Sequence, residues 1–202
     1  MKYLFIDSAT TNLVVAIIIE GKITYLYNEN DGNDTSAKLM PIIEEAFLKS
    51  NVRPQDIDKI FVVTGPGSFT GIRVGLTVAK VMAYSLNIPA IPLSSLEVMA
   101  SGFDEDVTAL IDARRGYVFA GGYDRNLNVI YEDNYVLFKD SGLSGKFVSF
   151  DKFSFETFEP QLDLIKIIKK HEDDEPVNPH MLNPNYLKLT EAEEKRLQDE
   201  RN

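Results

Sequence analysis

The sequence predicts an α/β fold in two similar halves, each a mixed sheet with flanking helices. Three observations carry that expectation. A strand–strand–strand beginning occurs twice, from Tyr3 to Tyr27 and from Val107 to Tyr131, and each time the first strand closes on an aspartate, Asp7 and Asp112. After the first meander, apolar runs of strand length alternate with segments of helical periodicity. A glycine-rich turn, Gly65-Pro66-Gly67-Ser68-Phe69-Thr70-Gly71, joins a buried strand to a long helix, as in α/β units.

In chain order, Tyr3–Ile6 is a short apolar run and Leu13–Ile19 a longer, β-branched one. Gly21-Lys22 turns the chain into a third strand, Ile23–Tyr27. Asn28–Asp34 is a polar loop, and Thr35 or Ser36 can cap the next helix. That helix puts Leu39, Ile42, Ile43, Ala46 and Phe47 on one stripe, with Pro41 early enough to cost little. Ile60–Val63 and Pro89–Leu93 read as strands, and Ser94-Ser95-Leu96-Glu97 has the spacing of a capping box. Gly102–Asp106 marks a boundary. Beyond it come strands Val107–Ile111, Tyr117–Tyr123 and Val129–Tyr131, then a helix at Leu162–Lys170. His171–Asn185 reads as an acidic, proline-containing linker, and Glu191–Arg201 as a charged helical tail. The expected division is a first half over 1–102, a reduced second half over 103–190 and a tail over 191–202.

Two aspartate-bearing hairpins facing one another are the plan of the actin-like ATPase and sugar-kinase (ASKHA) fold, by fold-level analogy. In that plan Asp7, Ser8, Thr10 and Thr11 stand where phosphates and magnesium would be held, with Asp112, Arg114 and Arg115 at the second hairpin. The second hairpin has Ala113 and two arginines where a glycine would follow the aspartate, and no glycine-rich adenosine loop follows. The nucleotide cleft therefore reads as degenerate, and a small-molecule kinase or ATPase is the alternative function.

The glycine-rich turn is neither a Walker A motif, lacking the Lys-Ser/Thr pair, nor Gly-x-Gly-x-x-Gly, having one residue too many. Its helix repeats small residues every four positions, Gly71, Gly75, Ala79 and Ala83. A stripe without bulk lets another backbone approach closely. The expected partner interface combines Leu39, Met40 and Ile43 of the first helix with Gly71, Arg73, Gly75, Ala79, Met82 and Ala83 of the second. Burial of the stripe against the chain's own sheet is the other reading.

Composition narrows the class. The 202 residues are 44% hydrophobic, enough for a real core, and the net charge of −10 argues against a surface that grips nucleic acid alone. There is no cysteine, hence no disulfide framework or thiolate chemistry. No apolar run approaches the roughly 18 residues of a spanning helix, and the first residues do not make a signal peptide. A soluble, cytoplasmic protein with no membrane association is expected.

The blocks IDSATTN, GPGSFTGIRVGLTVAK, PLSSLEVMA, IDARRGYVF and NPNYLKL, in that order, resemble the TsaB (YeaZ) family over most of the chain; only Asp133–Asn183 does not align. The resemblance implies the actin-like fold and a role in making threonylcarbamoyladenosine, the modified adenosine beside the anticodon of ANN-decoding tRNAs. It implies a non-catalytic subunit whose partners are a catalytic paralogue, TsaD, and an ATPase, TsaE, with tRNA reached only through the complex. The paralogue carries a His-x-x-x-His metal helix, and the corresponding positions here are Ser95 and Met99. Neither suits a borderline metal, so no metal, catalytic residue or cofactor of its own is expected. ATP or ADP at the interface of the complex stays open, as does a homodimer of the free chain. One departure is Thr35-Ser36, where the family commonly has His-Ser. The two histidines, His171 and His180, lie in the acidic C-terminal region and read as solvated linker residues.

Overall fold

A computed structural model describes residues 1–30 and 34–188. The tail expected to be helical falls outside those residues. The first half runs β1 (Lys2–Asp7), β2 (Asn12–Ile19), β3 (Lys22–Asn30), α1 (Thr35–Ser50), β4 (Lys59–Gly65), α2 (Phe69–Leu86), β5 (Ala90–Ser94) and α3 (Ser95–Ala100). Its strands form one sheet in the order β3-β2-β1-β4-β5, antiparallel across the meander and parallel from β1 to β5. Every residue from Tyr3 to Asp7 is buried, because both faces of β1 are covered, as parallel strands require.

The second half repeats the plan with β6 (Val107–Asp112), β7 (Tyr117–Tyr123), β8 (Val129–Leu137) and β9 (Lys146–Val148), in the order β8-β7-β6-β9. Strand β9 runs parallel to β6 as β4 does to β1. The repeated order is that of the actin-like fold, and the fold class read from the sequence holds. The sequence reading missed β9, which lies in the stretch that does not align, and placed the end of β8 six residues too early at Tyr131 rather than Leu137.

Helix α1 lies over β2 and β3, and α2 lies beside it over β1 and β4. The stripe Leu39, Ile42, Ile43, Ala46 and Phe47 is buried, as its spacing predicts. Neither Thr35 nor Ser36 caps α1. Asp34 occupies that position and makes no side-chain capping bond. Helix α3 sits between the sheets, where Ser94 accepts hydrogen bonds from the amides of Leu96 and Glu97. Only half of the capping box forms, because the Glu97 side chain is drawn away to α4 (Leu164–His171).

The segment read as a linker is packed structure. From α4 the chain returns to the first half: Val177 bridges to Ala90, Leu182 is buried, and the Asn185 amide donates to the Thr64 carbonyl at 2.8 Å. His171 is likewise no solvated residue, since its ring lies between Glu97 and Asp174. His180 stands edge-on against Tyr84.

Candidate functional site

The two aspartate hairpins do face one another across a cleft of about 670 Å³. Thr10 and Thr11 from the β1–β2 turn, and Asp112 and Arg114 from the β6–β7 turn, line it as the sequence predicts. Asp7, Ser8 and Arg115 do not line it. The sequence reading missed Ser68 and Thr70 at the start of α2, together with Asp151 and Lys188. The two hydroxyls were legible in the glycine-rich turn. Asp151 was not, because it lies in the stretch that does not align.

Asp7 and Asp112 make the same local turn. Each accepts a hydrogen bond at Oδ1 from the amide two residues on, Ala9 and Arg114, both at 2.8 Å. Their surroundings diverge. Asp7 is 2% exposed, and burial pushes its carboxyl up to about 7 against the lowering effect of the Ala9 amide. Asp112 is exposed, and its amide donates to Asp151 at 2.8 Å. Burial also raises Asp151, and the Asp112 charge adds to the shift while the Asp112 amide opposes it.

The glycines explain the burial of Asp7. Gly67 has φ +151°, and a Cβ there would collide with the Ala9 carbonyl. A Cβ on Gly71 would collide with the Ser8 carbonyl, and one on Gly75 with the Ser8 hydroxyl. The Ser68 amide donates to Ala9 O at 2.7 Å, and the Ser8 hydroxyl donates to Gly71 O at 2.8 Å. The glycine turn and the start of α2 thus lie on the loop after β1 and seal Asp7 beneath it. The hydroxyl of Ser68 is spent on capping α2, accepting from the Gly71 amide at 3.1 Å.

This corrects the expected interface. Gly71, Gly75, Ala79 and Ala83 face the chain's own sheet, and Leu39 and Ile43 are in the same core. A small-residue stripe serves any close backbone approach, and here the approaching backbone is that of Ser8 and Ala9. Of the predicted interface, Met40 and Arg73 are exposed and Met82 is half-buried.

The positions expected to replace metal-binding histidines are filled by core residues. Ser95 and Met99 are buried, and the Ser95 hydroxyl donates to the Pro66 carbonyl. Asp133, which accepts from Tyr123 and Ser94, is raised by burial and closes a polar network between α3 and the second sheet. Among the described residues, no three His, Asp or Glu side chains are grouped to hold a metal ion. The described helices include none long and apolar enough to cross a membrane.

The family profile described as TsaD, tRNA N6-adenosine threonylcarbamoyltransferase, matches residues 32–140. The chain is 30% identical to the tRNA threonylcarbamoyladenosine biosynthesis protein TsaB of Bacillus subtilis, with 100% of both chains covered. It is 32% identical to TsaB of Escherichia coli, over 65% of this chain and 58% of that one. Among solved structures, YeaZ of Pseudomonas aeruginosa matches with a TM-score of 0.77 at 21% identity, covering 92% of this chain and 99% of that one. A P. aeruginosa protein described as similar to peptidase YEAZ matches at 0.80 and 20% identity, covering 93% and 99%. At such identities these two structures speak for the fold.

Proposed function

Because the chain belongs to the TsaB family of tRNA threonylcarbamoyladenosine biosynthesis proteins, we propose that it is the non-catalytic subunit that stabilises and activates a TsaD-like catalytic paralogue. A TsaE-like ATPase completes the assembly, tRNA is held tightly only by the complex, and the setting is the cytoplasm. The observation that carries the reading is the burial of Asp7. The carboxylate that would serve phosphates and magnesium in a working cleft is sealed under the glycine turn instead. The other lining charges, Asp112 and Asp151 against Arg114 and Lys188, oppose one another and supply no phosphate cradle. Any ATP or ADP in the assembly belongs to its interface with the partner.

The docking face is the outward seam of α1 and α2. Met40 and Val81 are exposed there, and Val74 and Val78 are partly buried beside them. An exposed apolar seam on two adjacent helices is an association surface, whereas scattered apolar residues are ordinary. Reconstituted tRNA modification with the catalytic paralogue should fall to background without this chain. A Val81→Glu variant should fail to co-sediment with the paralogue while keeping its own fold. Turnover of ATP by the isolated chain, abolished by Asp7→Ala, would favour the kinase alternative.

A further inference from the structure

We propose that the face formed by α2 and the returning segment 176–188 is a docking surface for a single-stranded stretch of RNA. The proposal rests on the accessory-subunit reading for the presence of an RNA, and on the surface of this chain for the contact.

The charge pattern comes first. The chain carries 31 acidic residues, yet neither α2 nor the segment from Pro176 to Lys188 contains one. Four cations outside this face are matched with carboxylates: Lys49 with Glu45, Arg53 with Asp56, Lys146 with Glu105, Lys170 with Glu97. On this face Arg73 and Lys80 have no carboxylate partner among the described residues. Two grooves of about 350 and 690 Å³ lie between α2 and the returning segment, and no acidic residue lines either. In a chain of net charge −10, such a face is complementary to a polyanion.

Aromatic rings are interleaved with those cations. Phe69 and Tyr186 stack with centroids 5.3 Å apart, and the Arg73 guanidinium lies 3.7 Å from the Phe69 centroid. The Arg73 Nε donates to the Tyr186 hydroxyl at 2.7 Å, which leaves the terminal amino groups open. Farther along α2, Tyr84 is 67% exposed and meets His180 edge-on at 5.1 Å. From Phe69 to Tyr84 the helix rises about 22 Å at about 1.5 Å per residue, so the band is long enough for several nucleotides. Cations that track a backbone, with rings on which bases stack, are what sequence-tolerant single-strand binding requires.

The magnitude agrees with weak binding by the free chain. Two such cations predict a slope of log affinity against log salt of about −1.4, at roughly −0.7 per neutralised phosphate of a single strand. The test is a titration of the full chain with a fluorescently labelled short oligouridylate over a range of salt. The expected result is low-affinity binding with that slope. Replacing Arg73 and Lys80 together with alanine should leave a slope near zero. Tyr84→Ala should weaken binding on the order of tenfold through lost stacking, with the slope unchanged. Lys49→Ala and Arg53→Ala should change nothing. No binding at low salt, or a slope indifferent to Arg73 and Lys80, overturns the proposal. Binding of polyglutamate in preference to the oligonucleotide also overturns it and identifies an acidic protein as the occupant. The titration needs no catalytic partner, so its failure leaves the accessory-subunit reading to the reconstitution, and the reverse holds.

Discussion

Asp7 and Asp112 end equivalent strands of equivalent sheets and make the same two-residue turn, yet one is sealed and the other open. The difference lies in what each half builds next. In the first half β4 leads into α2, whose glycines let helix and turn settle on the backbone of Ser8 and Ala9. In the second half β9 is three residues long, and among the described residues no long helix follows to roof the Asp112 turn. The core records the same contrast. The first half shares a large buried cluster with α3 and α4, while Leu110, Val118 and Ala120 have their own small one. Rings such as Phe138 and Phe155, stacked at 4.5 Å, pack against that small cluster. A duplicated motif thus acquires its electrostatics from the element packed above it.

The largest expected effect breaks that packing. Gly75→Leu drives a side chain into Ser8 and Ile6, and should cost about 3 kcal/mol or more. In the turn of the second hairpin, Gly116→Ala meets only Leu137 Cδ1 at 3.5 Å and carries the strain of φ +80°. About 1–2 kcal/mol is expected there. Urea unfolding of the two variants measures the contrast directly, with unchanged m-values showing that stability alone has moved. Equal losses would mean that the glycine turn is not the seal.

Next in size is the pH dependence of Asp7. Its carboxyl is raised from 3.8 to about 7, so the folded chain holds that proton more tightly than the unfolded chain does. The contribution is fully present below the ordinary value and is lost as pH rises towards about 7, levelling off above it. The loss is at most about 4 kcal/mol, at about 1.36 kcal/mol per unit. Asp7→Asn is neutral throughout and should abolish the decline, leaving the variant at least as stable as the parent at alkaline pH. Asp112→Asn, at an exposed site, should stay within about 0.5 kcal/mol. A parent whose stability does not fall across that interval would show that Asp7 is solvated after all.

Most of the fold was legible because each half announces itself by strand periodicity and a terminal aspartate. What escaped was decided by tertiary contact. The small-residue stripe says that some backbone comes close, and cannot say whether it belongs to Ser8 or to a second molecule. The segment from His171 to Asn185 looks like a linker by composition, since prolines, asparagines and acids dominate it. It is held by single anchors, Val177 on Ala90, Leu182 in the core and Asn185 on Thr64, which leave no periodic trace. Of the cleft, the hairpin residues Thr10, Thr11, Asp112 and Arg114 were readable from their place after a strand.

The smallest effect concerns the polar joint that fixes α4, and through it the returning segment, to α3. Glu97 is 6% exposed and receives Lys170 Nζ at 2.6 Å and His171 Nε2 at 3.0 Å, while His171 Nδ1 faces Asp174 at 2.6 Å. Burial alone would raise Glu97, but hydrogen bonds from His171 and Lys170 outweigh it and hold the carboxyl below 4.5. The bond to Glu97 chiefly holds His171 above 6.5, against desolvation and with help from Asp174. The histidine's contribution is complete below 6.5 and is lost as pH rises through its higher folded value. That of Glu97 is complete above 4.5 and is lost as pH falls through its lower one. The joint is therefore strongest between 4.5 and 6.5. His171→Gln should cost about 1 kcal/mol in that window, the ordinary worth of a hydrogen bond, and less at alkaline pH. Lys170 keeps Glu97 paired in the variant, which is why the loss stays small. A cost that does not change with pH would mean that His171 contributes packing alone, and that the C-terminal return is anchored without its charge.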